Sequence, residues 1–351
     1  MAVIFMDGCD LYNSTTDLRD AGGSGYITYF SNKMGYSTTG GRFGYGALVP
    51  DQSTLTNYVI PFPAVALSTD LYVGFWFKSN LSGGTGFQTL FQLYSTNGWR
   101  SAIKVSHDQN GVLRVEENDG TTHDTASGVL IANTWHWIEL KVVLGTNNTN
   151  GAYELRVDTS NVSSDAASDT FPSTGDTIGE LRLMGADYSR HLDDIVIWTG
   201  TGAAPTGFMG YAQIDTLLPT GDGADTAWTA SAGSDYQCVD DALFAADGDS
   251  TYISASTATT KSSFTMANLV GTATANLAVQ VRARAKKTAS EVKTLRGYVK
   301  SVASTTNGTT RGTQDNYAVH RLGIISADPN GGGAWTETSI NGVQAGVEVI
   351  A

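Results

Sequence analysis

The sequence predicts an all-β protein: a two-sheet antiparallel β-sandwich, jelly-roll and lectin-like, followed by a smaller β-rich domain. Three observations predict it. Apolar residues recur at every second position in run after run, the period of a strand that buries one face. Gly (40 residues), Ser, Thr, Asn and Asp separate the runs, and these are the residues that tight turns require. Helix formers never gather at helical spacing, and the short polar turns leave no room for the crossovers that parallel strands need.

Val3 to Met6 reads as a short buried strand, followed by Thr56 to Phe62 and Leu71 to Lys78. In Leu71 to Lys78, Tyr72, Gly74 and Trp76 share one face, while Leu71, Val73, Phe75 and Phe77 share the other. Phe87 to Tyr94, Ser101 to Ser106 and Val112 to Glu117 come next. The last two are joined by His107 to Gly111, whose Asn110-Gly111 pair is a strong hairpin signal. Trp135 to Leu144 alternates cleanly: Trp135, Trp137, Glu139, Lys141 and Val143 against His136, Ile138, Leu140, Val142 and Leu144. Ala152 to Asp158, Ile178 to Met184 and Leu192 to Trp198 complete the set.

A composition break follows Trp198. This places the sandwich at 1–199, a linker of small residues at 200–210 and a β-rich domain at 211–351. In that second part Phe208 to Leu217 reads as a strand and Pro219 to Gly223 as a turn. Further strands are expected at Leu277 to Ala285, Leu295 to Val302, Tyr317 to Ile325 and Val343 to Ile350.

The net charge of -13 and the lack of a basic face argue against a nucleic-acid partner. Arg282, Arg284, Lys286 and Lys287 alternate with small residues and read as a solvated strand face. No apolar stretch approaches the ~18 residues of a membrane span. The N-terminus lacks the basic start of a signal peptide. Cys9 and Cys238 are too few for a disulfide scaffold and are expected as buried free thiols.

Three segments carry a family resemblance. They are Thr134 to Lys141, the hairpin Gly151 to Asp158 and the closing strand His191 to Trp198 with its Asp193-Asp194 pair. In this order they resemble the concanavalin A-like, laminin G-like sandwich superfamily. Over nearly its full length the chain also resembles a tailed-bacteriophage virion protein family. The matches are Met6-Asp7-Gly8, Gly40 to Gly44, Phe208 to Tyr211, Leu218 to Gly223, Thr226 to Thr229, Val239 to Asp241, Asp249 to Ile253, Ala334 to Thr336 and Val343 to Val347. The resemblance implies a non-enzymatic particle protein of tail fibre, tail-associated or capsid-decoration type. Such a protein would act through contacts with other virion proteins and with copies of itself, as a homo-oligomer. A carbohydrate-binding adhesin recognising a host surface glycan is the alternative, and a glycoside hydrolase the third reading.

The residues offer little reactive chemistry. Some relatives of the sandwich are glucanases, and retaining hydrolysis needs two carboxylates about 5 Å apart. Glu117-Asn118-Asp119 supplies two acids, but Thr122 stands where a third would be. No nucleophile elbow exists, and neither cysteine has a histidine nearby in sequence. His136 reads as a packed or hydrogen-bonded residue, and His107, His123, His191 and His320 lack zinc-ligand spacing. Sugar-stacking candidates are Trp99 and Tyr188, both in polar loops. The oxygen-rich loops of such sandwiches make Ca2+ the one cofactor to consider. Its candidate ligands are Asp247 and Asp249, which sit at alternate positions of one loop, and the pair Asp193 and Asp194.

Overall fold

The computed structural model describes residues 2–12, 27–28, 34–44, 46–50, 57–82, 86–96, 100–174, 176–184, 190–201, 206–271, 273–291 and 293–350. The protein is all-β, with antiparallel sheets throughout, as the period-two patterning predicts. It divides into two compact units: Met1–Cys9 with Tyr26–Ile214, and Asp10–Gly25 with Asp215–Ala351. The division falls at Ile214, beyond the 200–210 linker expected from composition. Part of that linker, residues 202–205, lies outside the described residues.

The strands of the first unit are β1 (Ala2–Asp7), β2 (Ile27–Thr28), β3 (Met34–Ser37), β4 (Ala47–Pro50), β5 (Asn57–Val65), β6 (Asp70–Lys78), β7 (Gln88–Ser95) and β8 (Ser101–His107). They continue with β9 (Leu113–Glu117), β10 (Thr122–Asp124), β11 (His136–Val143), β12 (Gly151–Val157), β13 (Ser160–Ser168), β14 (Ile178–Met184) and β15 (His191–Thr199). One sheet runs β13-β12-β11-β6-β15-β4-β3, with β1 also pairing β15. The other runs β10-β9-β8-β7-β14-β5-β2. Their inner faces meet in an apolar core. Phe75 of β6 packs edge-on against Phe91 of β7 at 5.4 Å between ring centroids. Ile138, Leu140, Leu93, Ile103, Val105, Val115, Leu181 and Leu183 are all fully buried around them.

The centre of the first sheet, at β6, β11 and β15, is buried on its outer face too. β6 and β11 are covered on both sides, and Trp137, Glu139 and Trp198 are as buried as the inner residues. The cover is the segment Thr206 to Ile214, which sequence patterning takes for a strand at Phe208 to Leu217. It forms no strand. Its polar backbone groups bond to side chains of the sheet beneath instead of to a neighbouring strand. The Trp76 and Trp198 indole N–H groups donate to the Ala212 and Gly207 carbonyls, at 2.8 and 3.2 Å. The Glu139 carboxylate accepts from the Met209 and Gly210 amides. Tyr211 stacks on Trp76, and Phe208 packs edge-on against Tyr72. Burial pushes the Glu139 carboxyl above its usual range, while the two amides pull it back down. Gly74 makes room for this layer, because a Cβ there would lie 2.6 Å from the Trp137 ring.

The second unit contains β16 (Pro219–Thr226), β17 (Thr229–Ala230), β18 (Ile253–Ser254), β19 (Lys261–Met266), β20 (Val279–Ala285), β21 (Thr294–Ser301), β22 (Ser304–Gly312), β23 (Ala318–Ile325), a short helix α1 (Glu337–Asn341) and β24 (Gln344–Val349). A five-stranded sheet β16-β19-β24-β21-β22 and the pairs β17-β18 and β20-β23 surround a core that includes Val281, Val299, Leu322 and Trp335. The four strands expected here all form. Pro219 to Gly223, expected as a turn, instead opens the edge strand β16. Pro is tolerated at the first position of an edge strand, where no ladder amide is needed. Cys9 and Cys238 are both free and buried, as expected.

Substitution of Gly74 by Val should cost about 1–3 kcal/mol by overpacking the Trp137 layer. The measurement is the urea midpoint, with Gly86→Ala, whose Cβ would meet nothing within 4 Å, as the neutral control.

Candidate functional site

With the centre of the first sheet's outer face covered, the outer face of the second sheet presents a continuous set of polar side chains. Alternation along each strand puts Gln92 and Tyr94 (β7), Lys104 (β8), Arg114 and Glu116 (β9), and Glu180 and Arg182 (β14) on that face, with the core residues between them. Register then lines them up across strands. Arg182 lies opposite Gln92, Gln92 opposite Lys104, and Lys104 opposite Glu116. The row crosses four strands, ~14 Å at the usual strand spacing.

Charge pairing fixes this row. Lys104 Nζ lies 2.5 Å from Glu116 Oε2, and Arg182 donates to Glu180 at 2.7 Å. The Arg182 guanidinium also lies over the Tyr94 ring at 3.5 Å from its centroid. Arg114 forms a two-pronged pair with Asp124, at 2.6 and 2.7 Å, and covers the Phe87 ring. At the Tyr94 end of the row lies a hollow of about 320 Å³ lined by Gln92, Tyr94, Arg100, Ser101, Lys104, Glu116, Glu117 and Asn118. Its only hydrogen-bonded cation without an ion pair among the described residues is Arg100, which donates to the Pro172 carbonyl at 3.4 Å. The lining is one aromatic ring among donors and acceptors already held in place, the composition that fits a hydroxyl-rich ligand.

Glu116 and Glu117 do not form a facing carboxyl pair. Glu116 and Glu117 are consecutive on β9, so they point to opposite faces. Glu116 faces the hollow, while Glu117 is buried beneath, where it accepts from the Asp169 amide at 2.6 Å. The strand ends at Glu117, and Gly120 (φ +90°) turns the chain, as the sequence suggests.

The other candidates fall in several places. Trp99 and Tyr188 lie outside the described residues. Asp247 is turned back on its own loop, accepting from the Thr251 hydroxyl at 2.8 Å. Asp249 points elsewhere, to Lys286 at 2.7 Å and to the Tyr317 hydroxyl at 3.0 Å. The two carboxylates therefore serve different partners. Asp193 and Asp194 sit at a bulge in β15, and Asp194 has φ +50°. The bulge re-aims them apart. Asp194 accepts from the Ile214 amide at 3.0 Å, pinning the end of the covering segment. Asp193 accepts from the Arg42 and Asp194 amides, both at 2.8 Å.

Sequence reasoning missed Asp7, which is fully buried on β1 and near enough to repel Asp193. Burial first, and the Asp7 charge second, raise the Asp193 carboxyl to about 6. Arg42, whose guanidinium lies 3.5 Å from the Trp76 ring centroid, offsets part of this. His136 is hydrogen-bonded as expected: Nδ1 to Asp158 at 2.7 Å, and Nε2 accepting from the Ile131 amide. Gln92, Tyr94, Lys104 and Glu116 were also missed as a site. Their outward positions are readable from strand alternation, but their alignment needs the register between strands.

No family model matches the chain, and no curated protein matches its sequence. Among solved structures it has some likeness to the endo-β-1,4-glucuronan lyase of the fungus Trichoderma reesei, at 12% identity and a TM-score of 0.38, over 56% of this chain and 95% of the lyase. Cellulose induced protein, Cip1, matches at 15% identity and a TM-score of 0.35, over 49% of this chain and 90% of that one. Trypanosoma rangeli sialidase matches at 12% identity and a TM-score of 0.33, and this chain spans only 30% of it. The expectation of a non-enzymatic virion protein is not carried forward, the structures that resemble this chain being a lyase, a cellulose induced protein and a sialidase. At such identities and TM-scores no activity passes from them to this chain.

The Asp193 carboxyl gives a pH signature. Its folded value of about 6 exceeds the ordinary 3.8, so stability from its neutral form is complete below pH ~4 and is lost as pH rises through ~6. The melting temperature of Asp193→Asn relative to the wild type should therefore rise between pH 4 and pH 7. A flat difference across that range would exclude the assignment.

Proposed function

We propose that the protein is carbohydrate-active and holds a glycan along the outer face of the second sheet, on the row Arg182, Gln92, Lys104 and Glu116 beside Tyr94. The observation that carries this reading is the registered row itself, flanking a hollow of about 320 Å³. Ion-paired side chains present fixed donors and acceptors, so a sugar's hydroxyls can bind without first ordering them. The Tyr94 ring supplies apolar surface and its hydroxyl a polar tip.

The same groups could carry proton transfer. Glu116 is the carboxylate facing the hollow, Lys104 neutralises it, and the Tyr94 hydroxyl is a second proton carrier on the same face. Cleavage would break the glycosidic C–O bond, with one of these groups giving a proton to the leaving oxygen and the other taking one from water or from the sugar.

The test uses a panel of neutral, uronate-containing and sialylated polysaccharides, with binding measured by calorimetry and cleavage by new reducing ends and unsaturated products. Tyr94→Phe and Lys104→Ala should each lower turnover by about 100-fold or more on any substrate found. Binding without product would overturn the catalytic half of the reading, and no binding would overturn both halves.

A Ca2+ ion at Asp193, with Asp7, belongs to the same proposal. Asp7 and Asp193 are both buried carboxylates, the oxygen ligands that a hard cation takes. The ion would hold β1 against β15. Added Ca2+ should raise the melting temperature at pH 7 in the wild type and not in Asp193→Asn; equal shifts in both would exclude the site.

A further inference from the structure

The open edge of the sandwich brings together three side chains that lie far apart in sequence. Glu117 ends β9, His123 is the middle residue of β10, and Asp165 belongs to β13 of the opposite sheet. His123 Nε2 lies 2.8 Å from Glu117 Oε1 and 3.6 Å from Asp165 Oδ2. One ligand atom from each residue lies within 4.8 Å of the other two. Sequence spacing gave no hint of this, because two ligands come from one hairpin and the third from the other sheet.

We propose that Glu117, His123 and Asp165 bind a divalent transition-metal ion of the zinc class, which clamps the edges of the two sheets together. The donor set of one imidazole nitrogen and two carboxylate oxygens suits zinc, with solvent completing the shell. Ligand atoms around a tetrahedral zinc at ~2.1 Å stand ~3.4 Å apart, between the two distances observed.

The site is also oriented from behind, as metal ligands usually are. Glu117 uses its other oxygen to accept from the Asp169 amide at 2.6 Å. Asp165 uses its other oxygen to accept from the Ala167 amide at 2.9 Å. Each carboxylate thus has one oxygen anchored to backbone and one turned to His123.

The local charge favours a cation. Among the described residues, neither Glu117 nor Asp165 forms an ion pair with a Lys or Arg. The Tyr153 ring closes one side at 5.7 Å from the His123 ring, and the nearby Glu117 and Asp165 charges contribute to raising its hydroxyl after burial. Asp119 is near enough to feel His123 as well. A divalent ion would neutralise two carboxylates that otherwise share a single imidazole. This inference does not rest on the glycan reading.

The experiment uses the full chain, stripped with EDTA and titrated with Zn2+ by calorimetry, then with Co2+ by visible absorption. Saturable binding of one equivalent, with a rise in melting temperature reversed by EDTA, is expected. His123→Ala should lose that equivalent, and Asp165→Asn, on a solvated edge strand, should weaken it by about tenfold or more. The metal-free melting curves of both variants check that they fold. No saturable Zn2+ binding, or an equivalent that survives unchanged in His123→Ala, would overturn the proposal.

Discussion

The burial of the centre of the first sheet on both faces is the constraint on which the rest of the sandwich depends. A sheet carrying Tyr72, Trp76, Trp137 and Trp198 on its outer side would expose a large aromatic surface, which soluble proteins rarely leave open. The segment from Thr206 to Ile214 covers it. That segment stays put because its backbone is satisfied by two indole N–H groups and by the Glu139 carboxylate. A buried carboxylate is costly unless hydrogen-bonded, and two amides meet that requirement. Residues 207–210 of the stretch that composition marks as a linker pack on the first sheet for this reason.

The candidate site lies on the other sheet. The second sheet keeps the ordinary alternation, apolar inward and polar outward, and the outward residues are arranged as charge pairs across neighbouring strands. Exposed pairs add little to stability. Here their effect is positional, since each holds its partner in one orientation beside the hollow.

Much of the fold was legible in the sequence, because apolar alternation is a direct record of burial. β6, β11, β12, β14 and β15 stand where Leu71 to Lys78, Trp135 to Leu144 and their successors placed them, within a residue or two. What patterning did not reveal is a class of strand with nothing apolar to declare. β13, β16 and β22 are built mostly from Ser, Thr, Asp, Asn and Gly, and each is an outermost strand of its sheet. An edge strand pairs on one side only and is solvated on the rest, so its sequence need not alternate. The aromatic run at Phe208 misled for the opposite reason: its residues are apolar because they pack on a sheet, not because they lie in one. The site was less legible than the fold. Asp193 was singled out from the sequence, but Asp7, Tyr94 and Lys104 acquire meaning only from register and bulges, which no single segment encodes.

β1 pairs with β15, so Ala2 lies opposite Thr199 and Met6 opposite Val196. β1 must therefore wait for about 190 further residues before its partner exists. Long-range pairing of this kind slows folding, because the intervening chain must be closed into a loop before any contact compensates. β6 and β11 can pair much earlier, which makes β1 the last piece to dock and its vacant place on β15 the feature most exposed to mispairing during synthesis.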